Sequence, residues 1–387
     1  MAEGLVRGKV GTTAIVSTAV SDSPGRGPLA ADKGIAGRVG SVRRSHSVTA
    51  ERNAHGSFML LLFAALLNLL VPAQATPQSE KIKFEPTDGV PTFAVRPPVL
   101  KVKPGTIVET RTFSRSGDYY EKAGGAWPGE VGPFLIEGAT PEDTLVVRIL
   151  RLRPNRDTAV SAVNPNGISA VAGDTRTRIL NDPLPARRFE WRLDRTRNVG
   201  ILDLPNSASK SIEMPLRPML GRLAVAPQGA EEFGGLWPGN FGGNMDAADA
   251  REGTTVYLPI FHDGALFYFG DGHALQGDGE ICGSGLETTM DVTFQFDLIK
   301  GRRIRWPRME DADDIMVAGS ARPLVDAFRI AQVELIEWLV TEYGFEKMEA
   351  YQVVSQGGHS RIANVVDPNY TVVAKFPKRL LPARSGG

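Results

Sequence analysis

Seven polar side chains of three chemical kinds fall close together in one stretch of the chain: Asn244, Asp246, Asp271, His273, Gln276, Asp278 and Glu280. Glycines are interleaved with the second half of the group, at Gly270, Gly272, Gly277 and Gly279. Glycine lets backbone approach a ligand closely. Carboxylates and an imidazole this near one another are costly unless their charge is compensated, and a metal ion is the simplest compensator. Residues 271–280 therefore read as a cation site at the end of a strand. A polar hairpin loop is the plain alternative, because Gly and Asp are ordinary turn formers. The stretch lacks the alternating acids and the position-twelve Glu of an EF-hand loop.

The histidine count bounds the ligand set. Of five histidines, only His262, His273 and His359 follow residue 75. A site of three histidines would have to use all of them, so mixed carboxylate–histidine ligation is the expectation. His262 in the turn HDG and His359 in QGGHS read as exposed. The single cysteine, Cys282, excludes an intramolecular disulfide. It reads as a small buried residue, with a nucleophilic thiol as the competing reading. Ser284 and Ser355 are further conceivable nucleophiles, although no G-x-S-x-G elbow is present.

The elements that position the cluster read as strands. The apolar runs 256–261 and 265–269 lead into it and are expected to pair as a hairpin over His262-Asp263-Gly264. Residues 288–298 (TTMDVTFQFDL) alternate apolar and polar, as a half-buried strand should. Further strands are expected at 98–112, 134–136, 144–152, 189–193, 200–204, 219–227 and 371–376. One clear helix begins at Pro323 and ends at Gly344, with Leu324, Phe328, Leu335 and Leu339 along one face. Residues 348–354 read as a last helical turn or a strand. The fold class is mainly β, sandwich- or barrel-like, with a minor α+β part and that one helix toward the C-terminus. The halves are expected at 76–215 and 216–387, the second carrying the site. Trp127-Pro128-Gly129 and Trp237-Pro238-Gly239 echo each other, and both loops are expected to line one cleft.

The chain has 387 residues, 42% of them hydrophobic, with 44 basic and 44 acidic side chains. With no basic stripe, composition argues against a nucleic-acid partner. Residues 1–57 are Gly-, Ser- and Arg-rich and read as a disordered or untranslated leader. Residues 58–75 (FMLLLFAALLNLLVPAQA) read as a signal peptide, which implies export and a mature protein starting at Thr76. A retained membrane anchor is the alternative.

The segment GDGHALQGDGE at 270–280 follows GGNMD at 242–246 and LPIFHDGALFYFGD at 258–271. Together with GPFLIEGATPEDTLVV at 132–147 and EAYQVVSQGGHSRIANVVDPN at 349–369, it resembles the acetamidase/formamidase family. The resemblance covers roughly residues 98–382. It implies a hydrolase of carbon–nitrogen bonds in short linear amides that releases ammonia, in a homo-oligomer. Such a reaction needs an attacking water, a polarised carbonyl and a protonated leaving amine, and a divalent cation, Zn²⁺ or else Ca²⁺, supplies the first two. The expected metal ligands are His273, Asp278 and Asp246. Glu280 is the expected general base, with Asp271 beside it and Glu287 orienting a ligand. Asn244, Gln276 and Trp237 are expected to contact the substrate, with Phe241 and Trp127 as further apolar wall. The alternative function is a non-catalytic exported protein binding a small amide or sugar at the same cation site.

Overall fold

The computed structural model describes residues 79–163, 170–172 and 182–384. The expected leader, signal peptide and Thr76 start lie outside the described residues. Among the described residues, no helix is long and apolar enough to cross a membrane.

Two large sheets face each other. The outer one has nine strands, in the order Lys81–Lys83, Ile107–Arg111, Met290–Ile299, Thr144–Pro154, Thr255–Pro259, Arg308–Glu310, Asp314–Ala321, Tyr370–Pro377 and His359–Asn364. The inner one has six, in the order Pro238–Gly239, Gly242–Asn244, Met219–Ala224, Phe267–His273, Val131–Ile136 and Leu100–Val102. The alternation at Met290–Ile299 does what period two requires: Met290, Val292, Phe294 and Phe296 are buried. These face the inner sheet, where Phe267 lies 5.7 Å from Phe294, Phe269 5.0 Å from Phe294, and Phe134 6.2 Å from Phe296. Each fully buried phenylalanine contributes about 1.5–3 kcal/mol of transfer free energy. This aromatic layer holds the two sheets in register. Mainly β architecture with C-terminal helices is thus the observed fold.

Three expectations about local structure are corrected. The runs 256–261 and 265–269 do not form a hairpin. Thr255–Pro259 pairs with Thr144–Pro154 and Arg308–Glu310 in the outer sheet, whereas Phe267–His273 pairs with Met219–Ala224 and Val131–Ile136 in the inner one. The intervening turn carries the chain across the core, with Ala265 and Leu266 both at φ 59°. All seven residues of Phe267–His273 are buried, so this strand needs a neighbour on each side and cannot sit in a two-stranded ribbon. Nor do the halves divide at 215/216: both sheets draw strands from either side of that point.

The third correction concerns the helix α1, Leu324–Tyr343, which starts after Pro323 and ends at Gly344 in the left-handed region. Its buried face is Ala327, Ala331, Leu335, Trp338 and Leu339, while Phe328 is 45% exposed. The helix lies so close to the outer sheet that a Cβ on Gly319 would stand 2.5 Å from the Ala327 carbonyl and 2.6 Å from the Ala331 nitrogen. Only small residues fit at that contact, which rotates Phe328 outward. A second helix, α2 at Lys347–Gly357, replaces the expected last turn or strand. The Glu346 side chain accepts hydrogen bonds from the backbone N–H groups of Met348 and Glu349 and satisfies its first turn. The strand Asp314–Ala321 is buried on both faces, with Ile315 and Val317 under the helices and Met316 and Ala318 in the core between the sheets.

Candidate active site

The inner sheet builds the site. Asp271 and His273, two residues apart on one strand, project to the same face. Glu287 is brought opposite His273 by isolated bridges to His273 and Val160. The imidazole Nε2 lies 3.2 Å from Asp271 Oδ1 and 3.1 Å from Glu287 Oε1. Met219–Ala224 runs antiparallel beside this strand, and Gly242–Asn244 beside that one, which brings Asn244 and Asp246 in. Gly221 is the point of closest approach: a Cβ there would stand 2.4 Å from Asp271 Oδ2 and 2.5 Å from Asp246 Oδ1. Three of the acids have left-handed backbones, Asp246 at φ 47°, Asp271 at φ 59° and Glu280 at φ 49°. Such conformations cost on the order of 1–3 kcal/mol each and cluster where geometry serves a ligand.

The proton inventory around His273 carries the chemical argument. Gln276 Nε2 donates to the carbonyls of Asp246, at 2.7 Å, and Ala363, at 3.1 Å. Its Oε1 is thereby turned to the imidazole, 2.8 Å from Nδ1. An amide oxygen only accepts, so Nδ1 carries a proton and donates it there. In the neutral ring, Nε2 then presents a lone pair toward two carboxylates. Nε2 makes no directed hydrogen bond to either, and Glu287 Oε2 and Asp246 Oδ1 are likewise buried without a partner. A proton or a cation must lie between these atoms to hold them together. Two overlapping sets, Asp246/His273/Glu280 and Asp271/His273/Glu287, have ligand atoms within 4.8 Å of one another. The donor set of one imidazole and several carboxylate oxygens suits Zn²⁺, and the oxygen-rich part suits a harder divalent ion.

A buried arginine balances the rest. Arg222 Nη1 donates to Glu130 Oε1 and its Nε to Asn244 Oδ1, with Asp271 Oδ2 3.4 Å from Nε. Its guanidinium lies 4.4 Å from the Trp127 ring centroid, and Trp127 Nε1 donates to Glu130 Oε1 at 3.0 Å. Burial works to raise the Asp271 carboxyl, but Arg222 and then His273 outweigh it and hold it below the usual carboxylate range. Burial pushes Glu130 up to about 7 against the pull of Arg222. Asp246 and Glu280 are pushed well up by burial and then by neighbouring carboxylates, and Asp367 up to about 6 chiefly by burial. Burial disfavours the charged form of His273, but Glu287 and Asp271 more than reverse that and raise it. Asn244 Nδ2 ties the acids together, donating to Asp246 Oδ2 at 2.7 Å and Asp367 Oδ2 at 2.5 Å.

The cluster opens into a cavity of about 260 Å³. Asn244, Asp271, Glu280 and Glu287 line it, and Asp246 and His273 lie buried among them. Gln276 stands behind the imidazole rather than in the cavity. Besides Gln276, three expected members are not brought there, and one of them, Phe241, is buried in the core and stacked on Phe233 at 5.1 Å. Asp278 turns outward and accepts from Arg361 Nε at 2.7 Å, because the short 3-10 turn Asp278–Glu280 sends alternate side chains to opposite sides. Trp237 is 40% exposed and packs on Phe233, 5.8 Å away, while its neighbours Gly235 and Leu236 reach the cavity. Trp127 does line it, so the two Trp-Pro-Gly loops meet at one cavity through different residues.

The nucleophile candidates are accounted for otherwise. Cys282 Sγ contacts the Ser284 carbonyl at 3.3 Å and does not line the cavity. Ser284 Oγ does border it but is held by Ala162, accepting from its N–H at 2.8 Å and donating to its carbonyl at 3.2 Å. Ser355 lies on α2. His262 is half-buried rather than exposed, its Nε2 2.6 Å from the Pro227 carbonyl. His359 is exposed, 3.7 Å from Asp314. Sequence reasoning missed Glu130, Arg222, Asn364 and Asp367. A lone arginine in the apolar run MLGRLAVA was the available signal, since a buried guanidinium demands carboxylate partners.

The chain resembles known proteins along most of its described length. The profile of the Acetamidase/Formamidase family matches residues 224–382. The crystal structure of an acetamidase from Yersinia enterocolitica superposes with a TM-score of 0.69 at 36% identity, covering 80% of this chain and 95% of that one. The structure of a predicted acetamidase/formamidase from Thermoanaerobacter tengcongensis superposes with a TM-score of 0.66 at 27% identity, covering 78% and 97%. A putative formamidase of Schizosaccharomyces pombe is 28% identical over an alignment of 214 residues that covers 44% of this chain. The chain spans about half the length of that curated relative, 51%.

Proposed function

The chain belongs to the acetamidase/formamidase family, and on that premise we propose that it hydrolyses the carbon–nitrogen bond of primary carboxamides and releases ammonia, with a divalent cation at His273. The observation that carries the reading is the buried Nε2 of His273, without a directed hydrogen bond, aimed at Asp271 and Glu287 while Nδ1 is committed to Gln276. His273 and either or both acid pairs, Asp271 with Glu287 and Asp246 with Glu280, would hold the ion, and zinc is the best match to that donor set. When bound, the ion supplies Lewis-acid polarisation of a carbonyl oxygen and a more acidic water.

The chain's own groups do the rest. With Asp271 and Glu287 as the ligands, Glu280 is left as the proton carrier: it is buried and borders the cavity, burial makes its carboxylate a stronger base than a solvated one, and in that ionised form it would take a proton from the attacking water and deliver it to the leaving amine nitrogen. Asn244 is fixed by both its donors, and Arg222 by Glu130 and Asn244, so the wall beside the carbonyl needs no rearrangement. Gln276 holds the imidazole in one tautomer. Asp278 is left out of the ligand set and serves as a surface ion-pair partner of Arg361.

The test is ammonia release from formamide, acetamide and longer amides, before and after chelation and after return of Zn²⁺. Release that chelation abolishes and zinc restores is expected. Full activity in metal-free protein would overturn the mechanism, and absence of release with metal bound would favour an exported binding protein. Export through a signal peptide and a homo-oligomeric state belong to the same proposal and are checked by N-terminal sequencing and light scattering.

A further inference from the structure

The cavity is larger and more apolar than the smallest amides require. At roughly 30 Å³ of liquid volume per water-sized atom, the four heavy atoms of acetamide fill on the order of 100 Å³. The cavity holds about 260 Å³, which leaves space for about five further heavy atoms. The lining also divides into two chemistries. Asn244, Asp271, Glu280, Glu287 and Asp367 belong to the reacting cluster, whereas Tyr119, Trp127, Leu236 and Pro91 offer rings and hydrocarbon.

That second wall is built, not incidental. Tyr119 and Trp127 rings lie 5.8 Å apart, Tyr120 stands 5.4 Å from Trp127, and both tyrosines are buried. The one donor of the indole is committed to Glu130, and the Arg222 guanidinium covers the indole ring. Trp127 therefore cannot swing away to collapse the cavity around a small molecule. Ser284, also in the lining, has its hydroxyl committed to Ala162 and adds no demand for a polar substrate group.

We infer that the preferred substrates are primary amides bearing an uncharged apolar substituent of about four to six carbons, linear or aromatic, seated on Tyr119, Trp127 and Leu236. The inference rests on the amide reading proposed above for the reacting end, and it adds the class of the other end. Charged tails are disfavoured by the same wall, because an ion there would lose its water and the one cation in the lining, Arg222, is already committed to Glu130 and Asn244.

The experiment is a chain-length series with the purified full chain loaded with Zn²⁺: acetamide, butanamide, hexanamide, benzamide, and the monoamide of glutaric acid as the charged tail. Ammonia release is measured as kcat/KM, and binding of each compound by isothermal titration calorimetry. A gain of about four-fold per added methylene is expected up to hexanamide, with the charged amide no better than acetamide. Leu236→Trp, which fills the apolar wall, is expected to abolish the gain. A flat or falling series overturns the inference, and the wild-type series decides it even if the variant does not fold. If affinity rises with chain length but no compound releases ammonia, the apolar subsite stands and the hydrolytic reading fails.

Discussion

Gly221→Ala is the smallest change that reaches the centre of the site. The added methyl meets Asp271 Oδ2 at 2.4 Å and Asp246 Oδ1 at 2.5 Å. Ordinary contact lies near 3.4 Å or more, so one or both carboxylates must retreat by about 1 Å. Neither is free to do so. Asp271 is held between Arg222 and His273, and Asp246 Oδ2 accepts from Asn244 at 2.7 Å and Asn364 at 3.3 Å. A misplacement of that size at reacting groups costs on the order of 100-fold in rate. Overpacking of the surrounding strands adds about 1–3 kcal/mol of destabilisation. The assays are kcat/KM for ammonia release, zinc affinity by chelator competition, and the urea midpoint. The expected result is a rate lower by about two orders of magnitude and weaker zinc binding in a protein that still folds. Wild-type rate and zinc affinity in Gly221→Ala would refute the claim that these two carboxylates are fixed against the cation.

Three further outcomes are expected. Gln276→Leu removes the acceptor that sets the His273 tautomer and should weaken zinc binding about 10–100-fold, read by the same competition, with far-UV circular dichroism unchanged. Arg222→Met leaves Glu130 and Asp271 buried without their cation and should cost about 3–5 kcal/mol in urea unfolding, part of which Glu130→Gln restores in the double variant. Asp143 gives a pH signature outside the site. Burial works to raise its carboxyl, but Lys300 Nζ at 2.5 Å, the Gly301 N–H at 2.9 Å and Thr140 outweigh it and hold it below its usual range. A depressed carboxyl contributes stability that is present above the unfolded value, near 3.9, and lost as pH falls below it. Asp143→Asn should therefore lower the melting temperature at pH 7, and the difference from wild type should shrink below about pH 4 in calorimetry.

What was legible in the sequence was whatever one strand and its following loop contain. Asp271, His273, Gln276 and Glu280 lie within ten residues, and period two places the first pair on one face. Met290–Ile299 and α1 were legible for the same reason, as periodicity is local. The second half of the site was not. Glu130 and Arg222 come from segments far apart in the chain and meet because the inner sheet orders Gly242–Asn244, Met219–Ala224, Phe267–His273 and Val131–Ile136 side by side, while Asp367 is brought to Asn244 by the connection between His359–Asn364 and Tyr370–Pro377 of the outer sheet. Asp278 misled because its type suits a ligand, and only backbone direction shows that it turns away to Arg361. Phe328 misled because its spacing from Leu324 and Leu335 fits one apolar stripe, whereas the close contact at Gly319 sets Ala327 and Ala331 against the sheet.

The most direct measurement is an anomalous-difference map from a crystal of the full chain grown with Zn²⁺ and collected at the zinc edge. The account predicts a peak about 2.0–2.1 Å from His273 Nε2, with carboxylate oxygens of Asp271 and Glu287, or of Asp246 and Glu280, at about 2.0–2.2 Å. Nδ1 should remain on Gln276. A crystal with no peak at Nε2, or with zinc held at Asp278 instead, would contradict it.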